Sequence, residues 1–263
     1  MFNFLRALRF LNYTFFAHHK RGAGIHSPFV FALIADVFNR PVDSNDLVEI
    51  EKLRKDLSKK KEKIHYKDPG AGSRIKRKSS RSIGEIVRTS STQRKYGELL
   101  FKLVREFMPG NIIEIGTSLG LGSMYLATGN SKGQVHTIEG AEPLYQLAKS
   151  NFEMAGFENI HIYNDLFSDG LTRLERCVGN FDMVFFDGNH TYNHTLEYFE
   201  MCIPKTTNES IFIFDDIHWS AEMERLWDRI ITDERVVVSI DLFQLGLVFF
   251  RKELSKQHFV IKY

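Results

Sequence analysis

The spacing of apolar positions divides the chain into stretches of different texture. Leu5, Leu8, Leu11, Phe15 and Phe16 recur near helical spacing and predict a first helix. A second is predicted over 27–39 (SPFVFALIADVFN), where Ser27 stands as N-cap and Pro28 takes the first helical position. Pro41 ends it. A charged helix follows over about 43–63. The pattern is then lost in YKDPGAGSRIKRKSSRS (66–82), where Pro69, Gly70, Gly72 and paired serines predict a mobile loop.

From about Ser82 the texture changes. Two helical stretches, 82–87 and 93–107, lead into short apolar runs at 111–115, 134–138, 160–163, 181–186 and 210–214, each followed by a helix-compatible segment. Buried β runs alternating with helices predict a parallel sheet with right-handed crossovers. The last two runs, 235–240 and 246–251, have no helix between them and should be antiparallel. The expected fold is α/β: a doubly wound, mostly parallel, seven-stranded Rossmann-like sheet with an N-terminal helical extension. The expected division is 1–81 for the extension and 82–263 for the sheet domain.

Composition agrees with a globular chain: 263 residues, 43% hydrophobic and 26% charged. The formal net charge of +2 hides a partition. Residues 1–51 carry 5 basic and 5 acidic side chains, 52–95 carry 16 and 4, and 96–263 carry 14 and 24. The 52–95 segment is therefore a candidate surface for phosphates of a nucleic acid, or a solvated complement to the acidic remainder. Only Tyr66 interleaves it, so the aromatic platform of a single-strand binder is missing. Cys177 and Cys202 have no metal-ligand spacing. No apolar run is long enough to span a bilayer, and Arg6 and Arg9 interrupt the N-terminal apolar stretch, so no secretory signal is expected and a cytoplasmic location is the default. Phenylalanine occurs 23 times, and its share in the first 40 residues suggests domain packing or a homodimer interface.

In a doubly wound sheet ligands bind beyond the carboxyl ends of the strands. After the first strand stands Glu114-Ile115-Gly116-Thr117-Ser118-Leu119-Gly120-Leu121-Gly122. Its glycines let backbone approach a ligand, and the helix beyond offers open N–H groups. The spacing is not the G-x-G-x-x-G of dinucleotide binders. Glu139, ending the second strand, can accept both hydroxyls of a ribose. Asn164 and Asp165 follow the third strand, where an adenine edge could be read. Asp187-Gly188-Asn189-His190 follows the fourth and Asp215-Asp216-Ile217-His218-Trp219 the fifth.

These residues resemble the class I S-adenosylmethionine-dependent methyltransferases: EIGTSLG at 114–120, Glu139, FDMVFFDGNHTY at 181–192 and IFIFDD at 211–216. The chain is most similar to the catechol and caffeoyl-coenzyme A O-methyltransferase group and related natural-product enzymes, over roughly 90–250. The resemblance implies S-adenosylmethionine held by Glu114, Gly116, Thr117, Ser118, Gly120, Glu139, Asn164, Asp165 and Asp187. It also implies a divalent metal such as Mg²⁺ on Asp187, Asp215 and Asp216. His190 stands where catechol-type enzymes place a lysine base, and a histidine could serve there, with Asp187 as its catalytic companion. His190, and Asp216 in place of the usual Asn, are departures from that group.

The implied activity is methyl transfer to oxygen of a small hydroxylated molecule, possible with or without metal. Two other readings stay open. One is an RNA methyltransferase holding its substrate on 52–95, although DGNH replaces the amide-reading motif of base N-methylation. The other is a non-enzymatic interaction protein on a methyltransferase scaffold. Asp187 could also be no more than a cap for the helix that follows it.

Overall fold

The computed structural model describes residues 9–11, 13–15, 17, 22, 24–67 and 78–263. The chain divides into two compact units, Pro41–Gly179 and Met1–Arg40 with Asn180–Tyr263.

In the unit Pro41–Gly179, Asp43 caps a 3-10 turn at Ser44–Leu47, its side chain accepting from Asn45 N at 2.9 Å, and the helix Val48–Lys59 follows. The charged helix is thus shorter than expected, because Lys60 turns to extended backbone. Strands β1 (Lys63–Lys67) and β2 (Lys78–Ser82) then pair antiparallel. Both ends of the expected loop over 66–82 are strand, while its centre, 68–77, lies outside the described residues. The reason is a two-residue alternation inside a lysine-rich run. Ile64 and Tyr66 pack on a cluster of Leu57, Ile83, Ile86, Val87, Leu119, Ala141 and Leu144.

The helices Ile83–Thr89 and Arg94–Phe107 lead to β3 (Asn111–Ile115), β4 (Gln134–Ile138) and β5 (Ile160–Tyr163), which pair in parallel. These three strands have the bounds read from the apolar runs. Helices Leu121–Gly129, Glu142–Met154 and Phe167–Cys177 follow them in turn.

In the other unit, Ser27 caps the helix Pro28–Ala32, its hydroxyl accepting from Val30 N, as the Ser-Pro signal predicts. The helix continues as a π-helix over Leu33–Phe38, which apolar spacing alone does not reveal. Of the first predicted helix, residues 9–11 and 13–15 are helical and the remainder, like His18 and His19, lies outside the described residues. Tyr13 donates to the carbonyl of Ile261, and Phe10 and Tyr13 pack on Phe243.

Strands β6 (Met183–Phe186) and β7 (Ile211–Asp215) are parallel and fully apolar where buried, with Phe186 stacked on Phe214 at 4.4 Å. The hairpin β8 (Val238–Asp241) and β9 (Leu245–Phe249) is antiparallel as expected, and β9 also pairs antiparallel with β7. An added strand, β10 (Gln257–Val260), runs parallel to β8. Among the described residues the main sheet therefore has eight strands where seven were expected. β10 has only four residues, exposed or half-buried, and carries no continuous apolar run. β9 runs antiparallel to both of its neighbours, β7 and β8.

Candidate functional site

In the unit Pro41–Gly179 the loop after β3 and the residue after β4 hold each other. Glu139 accepts from Ser118 N through Oε2 and from Ala141 N through Oε1, both at 2.9 Å. Gly116 N bonds the carbonyl of Ile138 at 3.1 Å. Ser118 and Gly120 have φ of +52° and +83°. At Gly120 a Cβ would lie 2.3 Å from the ring of Phe152, so close packing and backbone sign both demand glycine. The helix Leu121–Gly129 starts from Gly120 with no side-chain cap, leaving donors of its first turn to other partners. Ser118 Oγ is buried without a hydrogen-bond partner among the described residues. A buried hydroxyl in that condition costs free energy unless a ligand completes it. The loop therefore fits a nucleoside-bearing cofactor.

Glu114 is elsewhere. It is 1% exposed and accepts from Thr137 Oγ1 at 2.6 Å and from the Ser123 hydroxyl. Burial pushes its carboxyl up to about 7, against those two hydrogen bonds, and the charge of Glu139 adds to the rise. Thr117 is also buried, its hydroxyl 2.6 Å from that of Thr137. These two side chains brace the strand ends from inside. Asn164 donates to Glu142, and Asp165 pairs with Arg173 at 3.3 Å. Sequence reading missed Asn151, whose amide holds the carbonyl of Leu119 at 2.9 Å, and Phe152, the floor under Gly120. Both lie on the helix Glu142–Met154, where no spacing marks them.

In the unit containing Asn180–Tyr263, ionisable side chains gather after β6 and β7. One ligand atom each of Asp187, His190 and Asp215 lies within 4.8 Å of the others. His190 Nε2 stands 3.6 Å from Asp187 Oδ1. Two consecutive positive φ values, +63° at Asn189 and +37° at His190, turn the chain there. Asn189 is held by its amide, which donates to Tyr198 Oη at 2.7 Å. The helix Tyr192–Cys202 has Thr191 as its N-cap residue, so capping does not account for Asp187. Asp216 is outside the group of three. Its φ is +56°, and Gln244 Nε2 donates to Asp216 Oδ1 at 2.6 Å and to Asp215 Oδ1 at 2.9 Å. Gln244 carries no sequence signal; it is found only because the β8–β9 turn delivers it.

His218 lies in a different cluster, bonded to Asp241 at 2.7 Å and Glu224 at 3.3 Å and stacked on Phe243. Burial pulls its pKa down, but the two carboxylates outweigh burial and raise it. Trp219 is exposed, and Trp227 is core.

The fold and the glycine loop are those the resemblance to class I S-adenosylmethionine-dependent methyltransferases implies. Residues 113–217 match the family model described as a methyltransferase domain. Among curated proteins none matches the chain. Solved structures share the fold. An O-methyltransferase of Bacillus cereus in complex with SAH is 22% identical, covers 84% of this chain and 97% of its own, and has a TM-score of 0.57. The O-methyltransferase TomG of Streptomyces achromogenes, in complex with SAM, is 23% identical over 61% of this chain and 82% of its own, with a TM-score of 0.54. The SAH-bound methyltransferase PaMTH1 of Podospora anserina is 13% identical over 80% and 97%, with a TM-score of 0.56. Among the described residues no helix is long and apolar enough to cross a membrane.

Proposed function

We propose that the chain transfers a methyl group from S-adenosylmethionine to a hydroxyl oxygen of a small molecule. The observation that carries this reading is the convergence of Asp187, His190 and Asp215 after β6 and β7. Such a group can orient a hydroxyl and receive its proton, which methylation of oxygen requires. Two of the structures similar in fold are named as O-methyltransferases, which supports the same choice of acceptor atom.

When bound, S-adenosylmethionine supplies a methyl on a sulfonium whose positive charge is relieved in the displacement. The chain's own residues then have separate duties. Glu139, anchored by two backbone donors, keeps lone pairs for the ribose hydroxyls. The Ser118 hydroxyl and the first turn of Leu121–Gly129 offer further polar partners. Asp165 and Asn164 border the same strand ends, where an adenine would be read. Asp187, His190 and Asp215 hold the acceptor, one ionisable group beside it takes up its proton, and alignment of the reacting atoms provides much of the rate.

The test is a screen of hydroxylated metabolites and total RNA with cofactor labelled in the methyl group, followed by mass spectrometry of the product. A methyl ether on a small molecule is expected. Label in RNA would instead support a substrate held on the exposed lysines at 59–63. Absence of any calorimetric signal with S-adenosylhomocysteine would leave a non-enzymatic scaffold as the reading.

A further inference from the structure

The acidic set implied by resemblance, Asp187, Asp215 and Asp216 with Mg²⁺, does not fit the donor atoms this chain brings together. We infer that the third ligand of a divalent cation here is His190, and that the site takes a first-row transition ion such as Mn²⁺, Co²⁺ or Zn²⁺ in preference to Mg²⁺. This rests on the O-methyltransferase reading of the same strand ends and concerns only which atoms bind the ion.

Three observations lead to it. First, Asp187, His190 and Asp215 present one imidazole nitrogen and two carboxylate oxygens within 4.8 Å of one another, a group to which Asp216 does not belong. Second, His190 Nε2 is 3.6 Å from Asp187 Oδ1, too long for a hydrogen bond. Ligand atoms bound at about 2.1 Å to one tetrahedral ion stand about 3.4 Å apart, so the spacing suits donors that share a cation. Third, the carboxamide of Gln244 reaches both carboxylates of the Asp215–Asp216 pair and binds Asp216 the more closely, 2.6 Å against 2.9 Å. A carboxylate oxygen accepting an amide at that distance is drawn toward the amide, while Asp215 keeps its place in the group of three.

The identity of the ion follows from the donors. Mg²⁺ favours an all-oxygen octahedral shell and keeps several waters. An imidazole nitrogen beside two carboxylates suits Mn²⁺, Fe²⁺, Co²⁺ or Zn²⁺ better. Such an ion, when bound, would lower the pKa of a coordinated hydroxyl. His190 then acts as a ligand, and the proton it would otherwise have received leaves through a neighbouring carboxylate or water.

The experiment uses the full chain, stripped with chelator and loaded with Mn²⁺, and reads pulsed electron paramagnetic resonance for nitrogen coupled to the metal. Calorimetry with Mn²⁺ and Mg²⁺ runs in parallel. We expect nitrogen coupling in the wild type, its loss in His190→Ala, and an affinity for Mn²⁺ at least about ten-fold above that for Mg²⁺. His190→Ala should weaken Mn²⁺ by about ten-fold or more, whereas Asp216→Asn should leave it within about two-fold. Circular dichroism establishes that each variant is folded, and His190→Gln serves if the alanine variant is not. Bound Mn²⁺ without nitrogen coupling, equal affinity for Mg²⁺, a loss on Asp216→Asn alone, or no ion bound at millimolar concentration would each overturn the assignment. S-adenosylhomocysteine binding by the same stripped sample separates the outcomes. If it persists, only the ligand assignment fails; if it is absent, the methyltransfer reading fails with it.

Discussion

The two compact units organise their functional residues in opposite ways. In Pro41–Gly179 the loop after β3 presents mainly backbone atoms, and the ionisable side chains beside it are tied down. Glu139 is fixed by Ser118 N and Ala141 N, and Glu114 is buried under Ser123 and Thr137. In the unit with Asn180–Tyr263 the relevant atoms are side-chain oxygens and a nitrogen, half-buried, on backbone with positive φ at Asn189, His190 and Asp216. The difference matches two tasks. Holding one constant cofactor rewards a stiff cradle with no side chain in the way. Handling a proton, or an ion, needs side chains aimed by strained turns that the surrounding fold must sustain.

The contrast predicts that damage to the cradle acts first on stability. Gly120→Ala places a Cβ 2.3 Å from the buried Phe152 ring at a φ of +83°. Overpacking and left-handed strain together should cost about 2–5 kcal/mol, read as a lower denaturation midpoint, with loss of S-adenosylhomocysteine binding. A variant of wild-type stability would show that the loop yields, and that the cradle is not stiff.

Next in size is the titration of Glu114. Its folded pKa is raised to about 7 from an ordinary 4.5, chiefly by burial. The protonated form is therefore favoured by folding, so its contribution is fully present below 4.5 and is lost as pH rises through 7. Stability should fall across that window, by at most about 1.4 kcal/mol per pH unit at its steepest. Glu114→Gln, neutral throughout, should flatten this part of the curve in urea melts at a series of pH values. A slope that survives the substitution would assign it to another group.

Glu139→Ala should weaken S-adenosylhomocysteine by an order of magnitude or more, since a buried ribose loses its acceptor. Calorimetry that shows unchanged affinity would place the nucleoside away from β4. The opposite sign is expected in the other unit. His190→Gly removes a side chain from a φ of +37° and should leave the fold as stable or up to about 1 kcal/mol more stable, while Mn²⁺ binding is lost. A large drop in the melting midpoint would mean that the imidazole supports the fold rather than the chemistry.

Legibility followed physical cause. The strands 111–115, 134–138 and 160–163 could be read at their true bounds because apolar runs between turn residues have few other solutions. β1 could not, because only Ile64 and Tyr66 face the core and lysines surround them. β10 is short and exposed on one edge, so it too leaves no pattern. The residues that follow strand ends could be picked out in each unit: Gly116, Ser118, Gly120 and Glu139 in one, Asp187, His190 and Asp215 in the other. What each does there could not. Glu114 and Thr117 stand in the motif yet turn inward, and Asp216 is claimed by Gln244, 28 residues later in the chain. A motif records position along a strand, whereas side-chain direction depends on partners that tertiary packing supplies.

The smallest effect is expected from the lysines at 59–61 of the basic segment, where charge is dense but engagement is slight. Lys59, Lys60 and Lys61 are exposed at the end of Val48–Lys59, and Lys59 meets Asp56 at 3.5 Å, both side chains more than half exposed. An exposed pair three residues apart contributes little. The backbone beneath them is another matter, since a Cβ on Gly84 would lie 2.4 Å from the carbonyl of Ser58. Packing is thus confined to main chain, and the amines point to solvent. Replacing Lys59, Lys60 and Lys61 together by glutamine should change stability by less than about 0.5 kcal/mol and leave S-adenosylhomocysteine affinity unaltered. The same triple variant decides whether the charge has a partner. If the wild type binds RNA with an affinity that falls steeply with salt, and the variant loses part of that slope, the lysines contact phosphates and the acceptor is a nucleic acid. If slope and affinity are alike in both, the surplus of positive charge in 52–95 is a solvated face, and the acceptor must be sought among small molecules.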